Sequence, residues 1–356
     1  MASVRPVALA AAVVAGALLA AGGARSTSES VSTPGPTLSA YALDGRIGLT
    51  AVNRSARAAI DWRGGRVTAS TGKVVNVFVS SSLPTETPEK WAELIAGFTH
   101  GPELPLLTAR IALLAEVQQL CGPQALGCYF RDELIAPGEA GTMEGDPTPE
   151  EILRHEYGHH IASHRSNSPW QAGDWGPKNW ASAANVCARV SRGEAFPGNE
   201  GRNYAQNPGE AWAEVYRLMD ERKAGITSAT WQIVAPSFFP DEVALQAAER
   251  DVLQPWTSVR KVVHRRVFGK RTKKVWWIPL RSTLDGELTL SATLPGSGLH
   301  EVALVSGNRR TVLKRAQWTG QRVKRAATTI CGQRSLFVRV TQSGGLGRVT
   351  VTATTP

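Results

Sequence analysis

Two histidines and a glutamate stand close together at 155–159, at a spacing that suits metal chemistry. The segment reads His-Glu-Tyr-Gly-His, so His155 and His159 are four residues apart. On a helix this spacing places both imidazoles one turn apart on the same face, where they can reach one ion, and Glu156 projects beside them. The pattern is typical of two zinc ligands and a general base that activates a water molecule. The alternative is a histidine-rich, solvated helix that binds no metal.

A catalytic zinc ion also needs a third protein ligand and an open coordination position. The best source is the segment Glu-Ala-Trp-Ala-Glu, in which Glu210 and Glu214 share one helix face. We expect Glu210 to be the third ligand. We expect Glu214 to orient a metal-bound histidine, because such histidines usually donate their second ring N–H to a neighbouring acceptor. The alternative is that Glu210 only closes a helix cap that begins at Asn207.

The next two histidines, His160 and His164, are rotated on the helix by roughly 100° and 140° from His159. We therefore expect them to be packing or surface residues rather than ligands of the same ion. A third ligand of the metzincin kind would need glycine at position 162 and histidine at position 165. The chain has Ala162 and Arg165, so that pattern is excluded.

Helix signals surround both groups of candidate ligands. Thr148, Pro149 and Glu151 form a capping box with proline at the first helical position, which predicts a helix that runs to about His164. A second helix is expected to begin at Asn207 and to run through Arg222. Strands alternate with helices before it, which predicts a mixed α+β fold. The other predicted elements of this part are strands at Val74–Ser80 and Gly127–Ile135 and helices at Pro88–Phe98, Leu106–Leu120 and Asp241–Leu253.

The two ligand segments resemble the corresponding helices of the gluzincin metallopeptidases, in which a His-Glu-x-x-His helix is followed by a glutamate helix. The stretch from Glu210 to Met219 looks most like the glutamate helix of lethal-factor-type peptidases. The resemblance covers residues 74 to 222. It implies a zincin-like domain that hydrolyses peptide bonds with Zn²⁺, with Glu156 as the general base.

The same resemblance implies two further roles. In the family a tyrosine shortly before the glutamate helix assists catalysis, and Tyr204 stands in a similar place. It would stabilise the oxyanion during hydrolysis. In zincins an edge strand pairs with the extended peptide substrate, and Gly127–Ile135 resembles that strand. An ordinary sheet strand is the alternative for this segment.

The first 37 residues indicate export. One positive residue, Arg5, precedes an apolar run from Pro6 to Gly23, which is the layout of a secretory signal peptide over residues 1–24. An uncleaved anchor is the alternative, although the run is shorter than the roughly 20 residues that span a bilayer. Residues 25–37 are typical of a flexible linker. No second long apolar run follows, so we expect no transmembrane segment after cleavage and a secreted or cell-envelope-associated protein.

Four cysteines, an even number, favour disulfide pairing in an exported protein. Cys121 and Cys128 enclose a turn-rich hexapeptide that can bring their sulfurs together, so we expect this bridge. Cys187 and Cys331 either pair across domains or remain buried thiols. None of the four has the close spacing of a zinc-binding cysteine pair.

Charge is divided unevenly along the chain. Residues 260–356 contain 19 Lys and Arg against 3 acidic residues, whereas residues 1–259 contain 21 basic and 27 acidic residues. Short β-branched runs between Gly, Ser and Asn turns predict a basic β-sandwich domain over residues 256–356. Around residues 285–288 and 336–340 it resembles sandwich domains appended to secreted bacterial peptidases. Its charge favours binding to an anionic envelope polymer, with a solvated linker face at residues 260–281 as the alternative.

These patterns predict an exported zinc-dependent endopeptidase that acts on peptide or protein substrates, with a zincin-like domain over residues 38–255. No specific nucleic acid is expected as a partner. The competing hypothesis is a non-catalytic cell-envelope-binding protein with a structural zincin fold. The set His155, Glu156, His159 and Glu210 favours the enzyme, because a binding protein has no need of Glu156. With 42% hydrophobic residues and no heptad or collagen-like period, disordered and fibrous classes are excluded.

Overall fold

The computed structural model describes residues 54–139, 147–227, 231, 233–272, 274–294, 298–319, 324–344 and 346–356. The expected signal peptide (1–24) and linker (25–37) lie outside the described residues. The chain folds as a mixed α+β body followed by an all-β region, which confirms the predicted fold class. Within those ranges, no helix has both the length and the apolar character that a membrane crossing requires.

The α+β body precedes Arg260, and the all-β region begins there. The strands of the body are β1 (Trp62–Thr68), β2 (Val74–Ser80), β3 (Thr108–Ala112), β4 (Cys128–Phe130) and β5 (Glu133–Pro137). Its helices are α1 (Arg54–Ala59), α2 (Pro88–Gly97), α3 (Leu114–Cys121), α4 (Pro149–Ser163), α5 (Ala172–Trp175), α6 (Lys178–Ala183), α7 (Val186–Ser191), α8 (Pro208–Lys223) and α9 (Glu242–Leu253).

A five-stranded sheet in the order β1-β2-β3-β5-β4 supports the helices of the body. Strand β3 lies between β2 and β5 and is parallel to both, whereas β1 and β4 are antiparallel edge strands. Val75, Val77 and Val79 of β2 are fully buried. Every second residue of β2 therefore enters the core, as the pleat of a strand requires.

Two predicted elements are wrong in their extent. The helix expected over Leu106–Leu120 is instead strand β3 followed by helix α3. An apolar run that is covered by neighbours on both sides has no polar face, so its periodicity cannot separate a strand from a helix. The single strand expected over Gly127–Ile135 is a hairpin of β4 and β5. Arg131 and Asp132 turn the chain there with φ angles of 47° and 67°.

The predicted capping box fixes the start of α4. The Glu151 N–H donates to Thr148 Oγ1 at 3.2 Å, and the Thr148 N–H donates to Glu151 Oε2 at 2.8 Å. Pro149 occupies the first helical position, where a missing N–H costs nothing. Because the start of the helix is fixed, so is the direction in which His155 and His159 face.

Helices α4 and α8 cross in close contact at Gly158. A Cβ atom at this position would lie 2.7 Å from Cα of Ala213, so a side chain does not fit without a backbone shift. Beside this contact, Trp212 Nε1 donates to the carbonyl oxygen of Gly158 at 2.8 Å. Farther along, buried Arg154 pairs with Asp220 at 3.0 Å. The crossing sets the distance between the histidines of α4 and the glutamates of α8.

The strands of the all-β region are β6 (Arg260–Phe268), β7 (Val275–Arg281), β8 (Gly286–Thr293), β9 (Leu299–Ser306), β10 (Val312–Thr319), β11 (Lys324–Ile330), β12 (Ser335–Gln342) and β13 (Gly347–Thr355). They form a β-sandwich of two antiparallel four-stranded sheets, ordered β10-β9-β12-β7 and β11-β8-β13-β6. The inner faces share one apolar core that includes Phe268, Ile278, Val302 and Val351. Most of the basic run 260–281 lies in two strands, at 260–268 and 275–281, rather than in a linker.

Polar contacts and a disulfide fasten the sandwich to helices α6 and α7. The Asp285 N–H donates to Ser182 Oγ at 2.9 Å, and Arg334 donates to Asp285 Oδ1 at 2.5 Å and to the carbonyl oxygen of Ser182 at 3.0 Å. A disulfide joins Cys187 to Cys331, which decides the pairing that the sequence leaves open. The expected bridge between Cys121 and Cys128 is present as well.

We expect Gly158→Ala to lower the free energy of unfolding by about 1–3 kcal/mol, the usual cost of an added group in a filled interior. This cost opposes the helix preference of alanine over glycine. Gly97→Ala is the matched control, because Gly97 ends α2 at the surface and nothing lies within 4 Å of its added Cβ. Urea unfolding measures both variants. Equal stability of the two would contradict the close approach of α4 and α8.

Candidate metal centre and active-site pocket

Side chains of two histidines and one glutamate meet where α4 and α8 cross. Nε2 of His155 lies 3.2 Å from Oε2 of Glu210, and Nε2 of His159 lies 3.4 Å from the same oxygen. The ligand atoms of all three residues lie within 4.8 Å of one another. His155 and Glu210 are buried, whereas the side chain of His159 is 17% exposed. The group therefore opens towards solvent at His159.

Glu210 faces α4 rather than closing the helix cap. The N-cap residue of α8 is Asn207, whose side-chain oxygen accepts from the Gly209 N–H at 3.0 Å. The N–H of Asn207 donates to the carbonyl oxygen of Tyr204 at 2.9 Å. In a capping box this N–H would bind the side chain of Glu210. Glu210 therefore does not close a capping box with Asn207, as the alternative would require.

Glu214 lies behind the ligand group and links it to Arg217. Its Oε2 is 3.3 Å from Nδ1 of His155, and Arg217 donates to both carboxylate oxygens, at 2.6 and 3.0 Å. Burial opposes the charge of Glu214, but Arg217 and His155 outweigh burial and lower its pKa to about 2. An ionised carboxylate in this place accepts the Nδ1 proton of His155 and leaves Nε2 facing Glu210. This is the orienting contact expected of Glu214.

The charges around His155 and Glu210 favour a cation. Burial opposes a charge on His155, but its contacts with Glu210 and Glu214 outweigh burial and raise its pKa to about 10. Burial also opposes the charge of Glu210, yet His159 and His155 hold its pKa well below the usual range. The carboxylates thus require positive charge among them. Two imidazole nitrogens and one carboxylate oxygen are a donor set that suits zinc, so the residues fit this ion.

Glu156 lies beside these ligand atoms without being one of them. It follows His155 on α4 and lines the adjoining pocket. A Cβ atom at Gly127 would lie 2.9 Å from Oε1 of Glu156, so the glutamate packs against the backbone that leads into β4. Burial raises the pKa of Glu156, and His159 and His155 offset part of this rise. A carboxylate so placed can take a proton from a molecule in the pocket.

Tyr204 reaches the ligand group from the turn that precedes α8. Its hydroxyl donates to Oε2 of Glu210 at 2.5 Å. Burial and the negative charge of Glu210 raise the pKa of Tyr204 well above its usual value, so the hydroxyl keeps its proton. The structure therefore brings Tyr204 to the same place as the candidate ligands and Glu156.

An open pocket with a volume of about 180 Å³ adjoins this group. Strand β4, at the edge of the sheet, provides part of one wall with Cys128 and Tyr129. Sequence reasoning misses two carboxylates of the pocket, because Asp174 comes from the short helix α5 and Glu200 from a loop, and neither belongs to a motif. Asn207 Nδ2 donates to Glu200 Oε1 at 2.8 Å, and burial together with repulsion from Glu210 raises the pKa of Glu200 to about 8. The remaining lining residues are Gly127, Glu156, His159, Ser163, Gly173, Tyr204 and Glu210.

No protein-family model matches the chain, and no curated protein matches it. A protein of Bacillus endospore appendages, which form disulfide-linked pili, aligns with 27% of this chain and 84% of its own, at a TM-score of 0.19 and 16% identity. A carbohydrate-binding module in complex with calcium and xylotriose aligns with 28% of this chain over 74% of its own length, at a TM-score of 0.16 and 11% identity. A 4-O-methyl-alpha-glucuronidase with specificity for decorated arabinogalactans aligns with 57% of this chain over 39% of its own length, at a TM-score of 0.19 and 8% identity. Such TM-scores support no conclusion on fold or function.

We expect Glu214→Gln to weaken zinc binding about 10- to 100-fold, because His155 loses its ionised acceptor. Glu221→Gln is the matched control: Glu221 also pairs with Arg217, at 2.7 Å, but it lies two helical turns from Glu214. Competition with a chelating dye measures both affinities. Equal weakening in the two variants would contradict a specific role for Glu214. If Glu214→Ala abolishes binding and Glu210→Ala does not, the roles of the two glutamates are reversed.

Proposed function

We propose that this protein is an exported, zinc-dependent endopeptidase of the gluzincin type. The observation that carries the proposal is the convergence of His155, His159 and Glu210 beside Glu156 at an open pocket. His155, His159 and Glu210 would hold the ion, and Glu214 would orient His155. When bound, zinc polarises a substrate carbonyl and lowers the pKa of water.

The chain's own residues supply the proton transfers of peptide hydrolysis. Glu156 takes a proton from the attacking water and delivers it to the nitrogen of the leaving amine. Glu156 lines the pocket where the scissile bond would lie, so one carboxylate can perform both transfers. Tyr204 donates its hydroxyl proton in a hydrogen bond to the oxyanion that develops on the scissile carbonyl. In this role the hydroxyl would exchange its present acceptor, Oε2 of Glu210 at 2.5 Å, for the oxyanion.

The edge strand β4 supports a peptide as the substrate. It pairs with β5 on one side and ends the sheet on the other, in the strand order of the described residues. Gly127, Cys128 and Tyr129 line the pocket that contains Glu156. An extended peptide bound along this edge would place a backbone carbonyl near the ligand group and gain main-chain hydrogen bonds.

Export agrees with the cysteine chemistry. Cys121 pairs with Cys128 and Cys187 with Cys331, so every cysteine of the chain is in a disulfide. Such bonds persist in oxidising compartments and are rare in the cytosol. Together with the signal-like segment 1–24, they favour a secreted or envelope-associated location.

We expect Glu156→Gln to retain zinc and to lose peptide hydrolysis by at least about a hundredfold, because an amide cannot accept the proton of water. Glu150→Gln, in the first turn of the same helix, is the matched control and should keep full activity. Hydrolysis of a broad peptide library, alongside metal analysis, measures both. Unchanged turnover in Glu156→Gln would exclude this mechanism. Absence of any hydrolysis by the wild type would favour a binding protein.

A second candidate function is attachment to an anionic polymer of the cell envelope through the β-sandwich. The region from residue 260 onward has 19 basic and 3 acidic residues, so most of its positive charge cannot be neutralised within the sandwich. On the edge strand β6, exposed Lys261 and Arg265 stand in register with Thr354 and Thr350 of β13. This places cations beside hydroxyl groups on one sheet face. Such a face suits a polymer that carries both charges and hydroxyls.

We expect the full-length variant Lys261→Glu/Arg265→Glu to lose most of its retention on cell-envelope material, because the charge of the β6 face is reversed. Arg222→Glu/Lys223→Glu is the matched control, since it makes the same change in net charge at exposed positions of α8. Cosedimentation at low and at high salt measures retention. Wild-type retention should fall steeply once the Debye length is below about 8 Å. Equal retention at both salt levels would exclude an electrostatic contact.

A further inference from the structure

A second group of metal-binding side chains lies on another face of α4, away from the candidate zinc ligands. His160 is near the end of the helix, and His164 is its C-cap residue. Asp132, on the turn between β4 and β5, is 2.6 Å from Nε2 of His164 and 3.4 Å from Nδ1 of His160 through its Oδ1. All three ligand atoms lie within 4.8 Å of one another. In a tetrahedral zinc site ligand atoms are about 3.3 Å apart, which lies within the range of these separations.

The tautomer of His160 is fixed in the form that a metal ligand needs. Its Nε2 is 3.0 Å from the carbonyl oxygen of Glu103. A carbonyl oxygen can only accept, so Nε2 carries the proton and the lone pair of the neutral ring is at Nδ1. A histidine that binds metal through one nitrogen usually donates the other N–H to such an oxygen. His160 is fully buried, so its Nδ1 is directed by packing towards Asp132.

The hydroxyl group next to this nitrogen is shared with other acceptors. Tyr129 Oη lies 3.2 Å from His160 Nδ1, 3.1 Å from Asp132 Oδ1 and 2.7 Å from Ser163 Oγ. Ser163 Oγ also lies 2.8 Å from the carbonyl oxygen of His160. The buried lone pair of His160 therefore shares one hydroxyl proton with Asp132, and a cation at Nδ1 would give it a partner of its own.

We propose that Asp132, His160 and His164 form a second site for a divalent transition-metal ion, with Oδ1, Nδ1 and Nε2 as ligand atoms. The ion replaces the proton that His164 donates to Asp132. The side chains of His164 and Asp132 are 26% and 43% exposed, so water can complete the coordination on that side. The site ties the end of α4 to the β4–β5 turn, and Tyr129 beside it lines the pocket. This inference does not depend on the proposed peptidase activity.

The test is a titration of the metal-free, full-length mature protein with Co²⁺, followed by calorimetry and by the visible spectrum of the bound ion. The wild type should bind two ions, and His164→Ala should bind one, because two ligands do not hold the ion against water. His264→Ala, on β6, is the matched control and should still bind two. Asp132→Asn should weaken the second ion at least about tenfold, and it serves as the test if His164→Ala does not fold. An unchanged number of ions in His164→Ala together with an unchanged affinity for the second ion in Asp132→Asn would overturn the proposal.

A variant that lacks the first group separates this proposal from the proposed function. His159→Ala/Glu210→Ala should retain one Co²⁺, and the addition of His164→Ala should abolish it. If His159→Ala/Glu210→Ala removes all binding and His164→Ala removes none, the second site is excluded while the candidate zinc centre stands. If the double variant His159→Ala/Glu210→Ala still binds one ion and the further change His164→Ala removes that ion, the second site is supported. This conclusion does not depend on the outcome of the peptidase assay.

Discussion

The close crossing of α4 and α8 is the constraint on which the candidate site depends. His155 and Glu210 are 55 residues apart in the sequence and 3.2 Å apart in space. They meet because Gly158 presents no side chain to Ala213, so the two backbones approach until Trp212 binds the carbonyl oxygen of Gly158. The buried pair Arg154–Asp220 adds a second fixed point along the same interface. Two fixed points set both the spacing and the rotation of the helices, which is what a group of metal ligands requires.

This crossing buries an unusual amount of charge on α8. Buried carboxylates are costly unless each has a cationic or hydrogen-bonding partner. Arg217 pairs with Glu214 and Glu221, while Asp220 pairs with Arg154. Glu210 has no arginine partner of this kind among the residues that the structure describes. Its neighbours are His155 and His159, so the positive charge beside it must come from a proton on a histidine or from a bound ion. Metal binding at this point would therefore be coupled to folding of the helix pair.

Helix α4 presents histidines to two different neighbours. His155 and His159 face α8, whereas His160 and His164 face the β4–β5 turn, because successive residues of a helix are rotated by about 100°. Strand β4 lies between the two groups: Cys128 and Tyr129 line the pocket, and the Tyr129 hydroxyl contacts His160. The disulfide from Cys121 to Cys128 holds the start of this short strand. The pocket wall and both histidine groups thus share one rigid framework.

The sequence by itself determined the features that depend on near neighbours in the chain. The capping box of Thr148 and Glu151, the His155/His159 spacing, the start of α8 at Asn207, the short Cys121–Cys128 loop and the all-β tail all follow from patterns within a few residues. Only the tertiary structure decided the strand β3, which needs buried neighbours on both sides, and the hairpin turn at Arg131 and Asp132. It also decided the pairing of Cys187 with Cys331, the arrival of Asp174 and Glu200 in the pocket, and the approach of Asp132 to His160 and His164. These contacts join segments that have no common periodicity, so their distances are set by how the helices and the sheet pack rather than by any local pattern.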